Sequence, residues 1–307
     1  MCCLFGLMDY GRCLSGRQKT RLLSVLAQES EARGTDASGI AYNAGGQLHI
    51  YKRPGPAHLL RAHVPEDARV VMGHTRLTTQ GDAAHNRNNH PFSGRVPGTR
   101  FALAHNGVLY NDLTLRKNKG LPATKIETDS FVAVQLLEQQ GALTLSSLKK
   151  MAETVEGSFV FTVLDERDNL YFVKGDNPLC LVRFPRLGLY LYASTESILQ
   201  KSIARTWLGK ERQETIPIER GDLVWADRQG RFQTDRFEVW EDFRPFWGCC
   251  RRVPARPSEP GPSHWYLEEL KSVASAYGYT PDTIDELLKQ GYSTDEIEEG
   301  LYALEPW

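Results

Sequence analysis

The sequence predicts an α+β fold of sheets covered by helices, and three observations lead there. Strand-length apolar and aromatic stretches recur through most of the chain before residue 240. Many are joined by short turns rich in glycine, aspartate or asparagine, such as "NAGG" at 43–46 and "DERDN" at 165–169, which favour hairpins and antiparallel pairing. Between them lie helical stretches with apolar residues at i, i+3 and i+4. Strands of mixed burial interrupted by helix pairs are the pattern of layered sheets and helices.

Taken in order, the pattern predicts a strand at Cys2–Met8, a helix around Leu22–Leu26, and strands at Gly39–Tyr42, Leu48–Lys52, Val70–Thr75 and Phe101–His105. A helix from Ser130 to Leu137 and a shorter one at Leu143–Met151 follow. Strands are then expected at Ser158–Leu164, Leu170–Val173, Cys180–Phe184, Leu189–Ala193 and Leu223–Trp225. The stretch "FWGCCRRVPARPSEPGPS" at 246–263, with four prolines, reads as a linker. Beyond it, residues 264–307 read as three short helices. The last two, "GYTPDTIDELLKQ" and "GYSTDEIEEGLYA", form an imperfect repeat, with Pro281 at a first helical position and Ser293 facing Glu296 as a capping box.

The chain has 307 residues, 41% hydrophobic and 24% charged, enough for one large domain and an appendage. Its net charge is −1 with both signs interspersed, so no electrostatic footprint for nucleic acid or an anionic membrane is present. No run approaches the roughly 18 apolar residues of a membrane span, the start lacks a signal-peptide pattern, and the expectation is a cytoplasmic protein. Six cysteines at 2, 3, 13, 180, 249 and 250 match neither a secreted disulfide framework nor a zinc pattern. Most are expected to be reduced and structural, Cys249 and Cys250 as part of a tether.

Cys2 is open to two readings. It is either a small buried hydrophobe opening a strand or, once Met1 is removed, a thiol sharing a residue with its own base. An α-amine titrates at about 7.7–8, well placed for a general base near neutral pH. In "MGHTRLTTQG" at 72–81, Arg76 ends a strand, where a guanidinium can grip a carboxylate or serve simply as a surface charge. In "FALAHNGVLYN" at 101–111, a strand stops at Asn106-Gly107, which reads as a hairpin turn or as two donors of an oxyanion hole. In "KIETDSFV" at 125–132, Asp129 stands at a helix start, where an acid also stabilises the dipole.

Together these four segments resemble the class II, N-terminal-nucleophile glutamine amidotransferase domain, such as the glutaminase domain of glucosamine-6-phosphate synthase. "RGTDASGIAY" at 33–42 is similar to the family's Arg-Gly-x-Asp-x-x-Gly segment, "NNHPF" at 88–92 to its Asn-x-His-Pro loop, and "YASTESILQ" at 192–200 to its Ala-Ser-Glu strand-to-helix step. The resemblance implies a four-layer α/β/β/α sandwich with two antiparallel sheets, spanning residues 2–245. It implies that Cys2 attacks the glutamine amide, that the Asn106 side chain and the Gly107 N–H hold the oxyanion, that Arg76 binds the α-carboxylate and that Asp129 binds the α-ammonium. A γ-glutamyl thioester would form and be hydrolysed, with no metal or organic cofactor. Thr79 matches the family threonine, whereas Gln80 stands where histidine is frequent and Leu77 where a large aromatic is. By alternation Cys3 is expected to point away from the pocket into a sheet interface.

The 44 or so helical residues at 264–307 weakly resemble a ubiquitin-associated-like three-helix module, which implies docking. The expected partners are therefore L-glutamine and a separate ammonia-acceptor enzyme or docking protein reached through residues 264–307. Two other readings stand beside it: an amidase of the same fold for another γ-glutamyl amide, and a non-catalytic glutamine-sensing or scaffold protein acting through its helical tail. Lipid anchoring at Cys2 or Cys3 lacks the sequence signals it needs.

Overall fold

The computed structural model describes residues 2–239, residues 279–290 and the single positions 267, 270, 271, 274, 292, 294 and 297. The chain divides into two compact units, Met1–Val239 and Trp240–Trp307.

The first unit opens with β1 (Cys3–Asp9) and α1 (Gly16–Glu29), then β2 (Ala37–Ala44), β3 (Gln47–Pro54), β4 (Val70–Arg76), β5 (Phe92–Val96) and β6 (Thr99–Leu109). Three helices follow, α2 (Asp112–Asn118), α3 (Phe131–Gln140) and α4 (Leu145–Ala152). Then come β7 (Gly157–Asp165), β8 (Leu170–Lys174), β9 (Cys180–Phe184), β10 (Leu189–Ala193), α5 (Glu196–Ala204), β11 (Glu214–Ile216), β12 (Asp222–Ala226) and β13 (Phe232–Arg236).

All strand pairs are antiparallel. One sheet has the order β11-β9-β10-β1-β4-β2-β3, the other β13-β12-β8-β7-β6-β5. Alternation along each strand sorts its side chains into two cores. Leu4 and Met8 of β1 join Ala102 and Ala104 of β6 and Val160 of β7 between the sheets. Phe5 and Leu7 face Leu22 and Leu26 of α1 and Ile198 of α5 on one outer side. Phe161 and Val163 of β7 face Val132 and Leu136 of α3 and Leu148 of α4 on the other. Helix, sheet, sheet, helix is thus the order of layers, as the resemblance implied.

Helices α1, α4 and α5 begin where side chains satisfy their first N–H groups. Ser15 and Gln18 form a reciprocal capping box on α1, Thr144 and Ser147 another on α4, and Thr195 caps α5. On α1, Lys19 is buried and donates to the carbonyls of Glu66 and Ala68 while pairing with Asp9 at 3.2 Å, which ties the helix to the end of β1. Helix α3 stops at Gly141 in the left-handed conformation.

Several expectations need correction. The strand at Phe101–His105 does not stop at Asn106-Gly107; β6 runs through both to Leu109, so this Asn-Gly is not a turn. Cys3 packs in the core with α1 and α5, so it faces a helix–sheet interface and not the space between the sheets. Strands β5, β11 and β13 and helix α2 lie where no element was expected. β13 is almost wholly exposed, β11 is a three-residue edge strand, and β5 alternates around Gly94, so none carries a strong apolar signal.

In the second unit, α6 (Pro281–Lys289) begins with proline at its start after Thr280, where the sequence placed it. Ile284 and Leu287 are buried, as are Leu270, Ala274 and Ile297, and Lys271 pairs with Asp285 at 2.9 Å. The linker at 246–263, Cys249 and Cys250 within it, and the capping box at Ser293 lie outside the described residues. Among the described residues no helix is long and apolar enough to cross a membrane.

Candidate active site

The register of the first sheet builds one side of the site. β1 pairs with β4 so that Cys3 stands opposite Thr75, which leaves Cys2 just before the first pair and Arg76 just after Thr75. Cys2 is 9% exposed, and its Sγ–H donates to the carbonyl of Leu77 at 3.5 Å. Its own carbonyl accepts from the buried Arg33 Nε at 2.9 Å, so the Arg-Gly-x-Asp segment holds the chain just before β1. A Cβ at Gly34 would lie 2.4 Å from the Arg76 carbonyl carbon, which shows why glycine is needed beside that arginine.

Arg76 is 2% exposed. Its Nη1 donates to Asn89 Oδ1 at 2.7 Å, and its Nη2 to the carbonyls of Gln80 at 2.5 Å and Gly81 at 3.1 Å. Burial lowers the guanidinium's pKa, and Cys2, Asp36, Asp129 and Asp82 act against that shift. Both bidentate edges of a guanidinium use Nη2. A carboxylate gripped by a fork therefore has to replace one of these loop carbonyls.

The loop after Arg76 is fastened at several points. Thr78 N donates to Asp36 Oδ2 at 2.7 Å, and Asn88 bridges Asp82 O, Glu127 Oε2 and Glu127 N. Asn89 is fully buried and also donates to Ala83 O at 2.8 Å, while its carbonyl accepts from Lys52 Nζ at 2.5 Å. Burial lowers the Lys52 pKa to about 8, with Arg76 adding to the shift. Gln80 thus enters through its backbone, so the departure from histidine there leaves its contact with Arg76 intact. Thr79 is exposed and joins none of these bonds.

The second sheet supplies the other side. Asn106 is fully buried on β6, and its Nδ2 approaches Ser194 Oγ at 3.5 Å. The same Ser194 Oγ accepts from Leu4 N at 2.8 Å, and Ser194 N donates to Leu4 O at 2.9 Å. One serine therefore joins β1 to the asparagine. Gly107 has φ +139°. A Cβ there would lie 2.1 Å from Ser158 O, so both conformation and space select glycine. Asp129, just before α3, accepts from Leu109 N at 2.6 Å and from Ser130 Oγ at 3.3 Å, which leaves lone pairs on both oxygens.

Three buried histidines lie beside these groups. His74 Nε2–H donates to His105 O at 2.9 Å, His105 Nδ1 is 2.7 Å from Ser130 Oγ, and the His74 and His90 rings stand 4.2 Å apart. Burial pushes the His74 pKa down to about 3 and lowers those of His90 and His105 as well. All three are neutral imidazoles at pH 7, so none offsets Asp129 or competes with Arg76 for an anion.

Cys2, Arg76, Asn106 and Asp129 are thus linked by strand register, by Ser194 and by the field at Arg76, while Thr79 stays outside. Sequence reasoning missed Asn89, Ser194 and Asn177. Ser194 and Asn89 stood within matched segments but carried no role, and Asn177, in the turn "GDNP", reads as ordinary turn chemistry.

Comparison with known proteins places this arrangement in context. Residues 74–201 match the family described as "Glutamine amidotransferase domain". A glutamine–fructose-6-phosphate aminotransferase from Streptococcus pyogenes serotype M6 is 31% identical over 177 residues, covering 55% of this chain and 29% of the relative. The corresponding enzyme of Bacillus thuringiensis subsp. konkukian is 36% identical over 160 residues, covering 50% of this chain and 26% of the relative. The chain thus matches under a third of the length of these curated relatives. In fold, it is similar to the glutamine phosphoribosylpyrophosphate amidotransferase of B. subtilis, with a TM-score of 0.61 at 20% identity over 77% of this chain and 49% of that one. Residues 74–201 thus carry the match to a glutamine amidotransferase domain, and the fold of the first unit is similar to that of a class II amidotransferase.

Proposed function

We propose that this chain hydrolyses L-glutamine to glutamate and ammonia through a γ-glutamyl thioester on Cys2. The observation that carries the reading is that Cys2 and Arg76 each adjoin the paired Cys3 and Thr75 of adjacent strands, with Asn106 tied to β1 through Ser194. Removal of Met1 gives Cys2 a free α-amine, which takes the thiol proton directly or through a water. The sulfur attacks the amide carbon of glutamine, and the carbonyl π pair moves onto oxygen. Asn106 Nδ2 and the Gly107 N–H stabilise that oxyanion, each by about 3 kcal/mol. Collapse re-forms the carbonyl and breaks the C–N bond as the leaving nitrogen takes the proton. Water then attacks the thioester, releasing glutamate and restoring the thiol.

Arg76 takes the α-carboxylate by exchanging a loop carbonyl, and Asp129 the α-ammonium, so a peptide-linked glutamine lacks one or both partners. Thr79 and Gln80 lie on the segment that closes over the substrate. Residues 264–307 are the docking element through which a separate acceptor enzyme receives the ammonia; the proline-started helix α6 and its sequence repeat support that assignment.

The test is glutamate release by protein whose intact mass shows Met1 removed, beside Cys2→Ala. Release by the parent and none by the variant is expected. Release that survives in Cys2→Ala removes the thioester mechanism. Deleting residues 246–307 is expected to abolish capture of the acceptor while leaving glutamate release in place.

A further inference from the structure

Asn177, in the turn between β8 and β9, is fully buried although it lies outside every matched motif. Its Nδ2 donates to the backbone carbonyl of Asn106 at 2.9 Å and to Ser158 Oγ at 3.2 Å. The opposite amide orientation would set its Oδ1 against the Asn106 carbonyl, two acceptors face to face, so the donor has to be on this side.

That carbonyl belongs to the peptide whose N–H is Gly107's. A trans peptide is planar, with C=O and N–H pointing in opposite directions. Holding the Asn106 oxygen therefore aims the Gly107 N–H the other way. Strand pairing shows what lies there. Gly107 stands opposite Phe159 of β7, and Phe159 O is used by Gly175 N at 3.0 Å, towards β8. In an antiparallel ladder, that makes Gly107–Phe159 a pair without mutual hydrogen bonds, with Gly107's polar groups turned away from β7. On that side β5 pairs with β6 only from Thr99 to Leu103, so no strand flanks Gly107. Glycine has no side chain to resist rotation of this peptide, and a Cβ at 107 would lie 2.6 Å from Asn177 Nδ2, so the asparagine sits directly beneath it.

We propose that Asn177 is a positioning residue for the glutamine hydrolysis described above: it fixes the Asn106–Gly107 peptide so that its N–H faces the oxyanion of the Cys2 adduct. A hydrogen bond to the carbonyl also polarises the peptide and strengthens its N–H as a donor. The inference rests on the proposed glutaminase activity.

Its test is steady-state glutamine hydrolysis by the full chain and by Asn177→Leu and Asn177→Asp. A support for a donor that acts only in the transition state predicts, for Asn177→Leu, a kcat lower by roughly tenfold or more with KM within about twofold of the parent. Asn177→Asp donates only when its carboxyl is protonated, so its kcat relative to the parent is expected to fall as pH rises. That profile is one a purely structural asparagine would not produce, and it decides the matter if Asn177→Leu does not fold. A parent-like kcat in Asn177→Leu, equal losses carried by KM, or a flat Asn177→Asp ratio overturns the inference and leaves the glutaminase reading standing. A parent chain that releases no glutamate overturns the reading and the inference together.

Discussion

On the first sheet, Cys2 and Arg76 are brought to the same end of the ladder by main-chain pairing of β1 with β4, which sets Cys3 opposite Thr75. On the second, Asn106 and Gly107 are carried by the pairing of β6 with β7 and are met in addition by Ser194 and Asn177, side chains that reach Asn106 from outside its own strand. In the proposed mechanism the nucleophile side thus rests chiefly on strand pairing, and the oxyanion side on strand pairing supplemented by individual polar side chains. Point substitutions are expected to disturb the second far more selectively than the first.

The largest effect is expected from Asn106→Ala, which removes an oxyanion donor and should lower kcat by about 10²–10³ with little change in KM. A comparable loss in KM would move Asn106 to the substrate-binding side and break the contrast. On the first sheet, Arg76→Lys keeps the charge but loses the fork, and a rise in KM for glutamine of roughly tenfold or more is expected, with a smaller change in kcat. Ser194→Ala touches both sheets: it strands the buried Leu4 N–H, at a cost of about 1–3 kcal/mol in unfolding free energy, and releases the Asn106 amide. Denaturant midpoint and kcat should fall together, which distinguishes it from Asn177→Leu.

The smallest effect concerns stability and pH. His74 is held neutral in the fold with a pKa of about 3 against 6.5 when unperturbed. Below about pH 6.5 the unfolded chain binds a proton the folded one does not, so this stability is complete above that pH and declines as pH falls, by about 2 kcal/mol at pH 5. His90, whose ring nitrogens have no hydrogen-bond partner among the described residues, acts in the same direction. His90→Leu is expected to reduce the difference between urea midpoints at pH 7.5 and pH 5; an unchanged difference would assign the acid sensitivity elsewhere.

How far the sequence revealed this molecule follows the same division. Strands with dense apolar runs, such as Val70–Thr75 and Leu189–Ala193, were legible because their burial is written in their composition. The edge strands β11 and β13 were not, because pairing at an edge needs backbone groups and leaves the side chains in water. Cys2, Arg76, Asn106, Gly107 and Asp129 each admit an ordinary reading, and they stand out because their four segments together and in order resemble one family. Asn177 and Ser194 are common turn and helix-start residues, and only three-dimensional contact reveals what they hold. The Asn-Gly pair was misread as a strand end since its local preference is a turn, and the β7 ladder overrides that preference.

The central place of β1 carries a consequence for biogenesis. Its neighbours are β4, from Val70 to Arg76, and β10, from Leu189 to Ala193. During synthesis the strand behind the nucleophile gains one partner early and waits more than a hundred residues for the other, a sequence separation of the kind that slows folding. Ser194, which clamps Leu4 from both its amide and its hydroxyl, arrives in the same late stretch. A chain of this topology thus completes the sheet around β1, and the link from Ser194 to Asn106, only once β10 has been made.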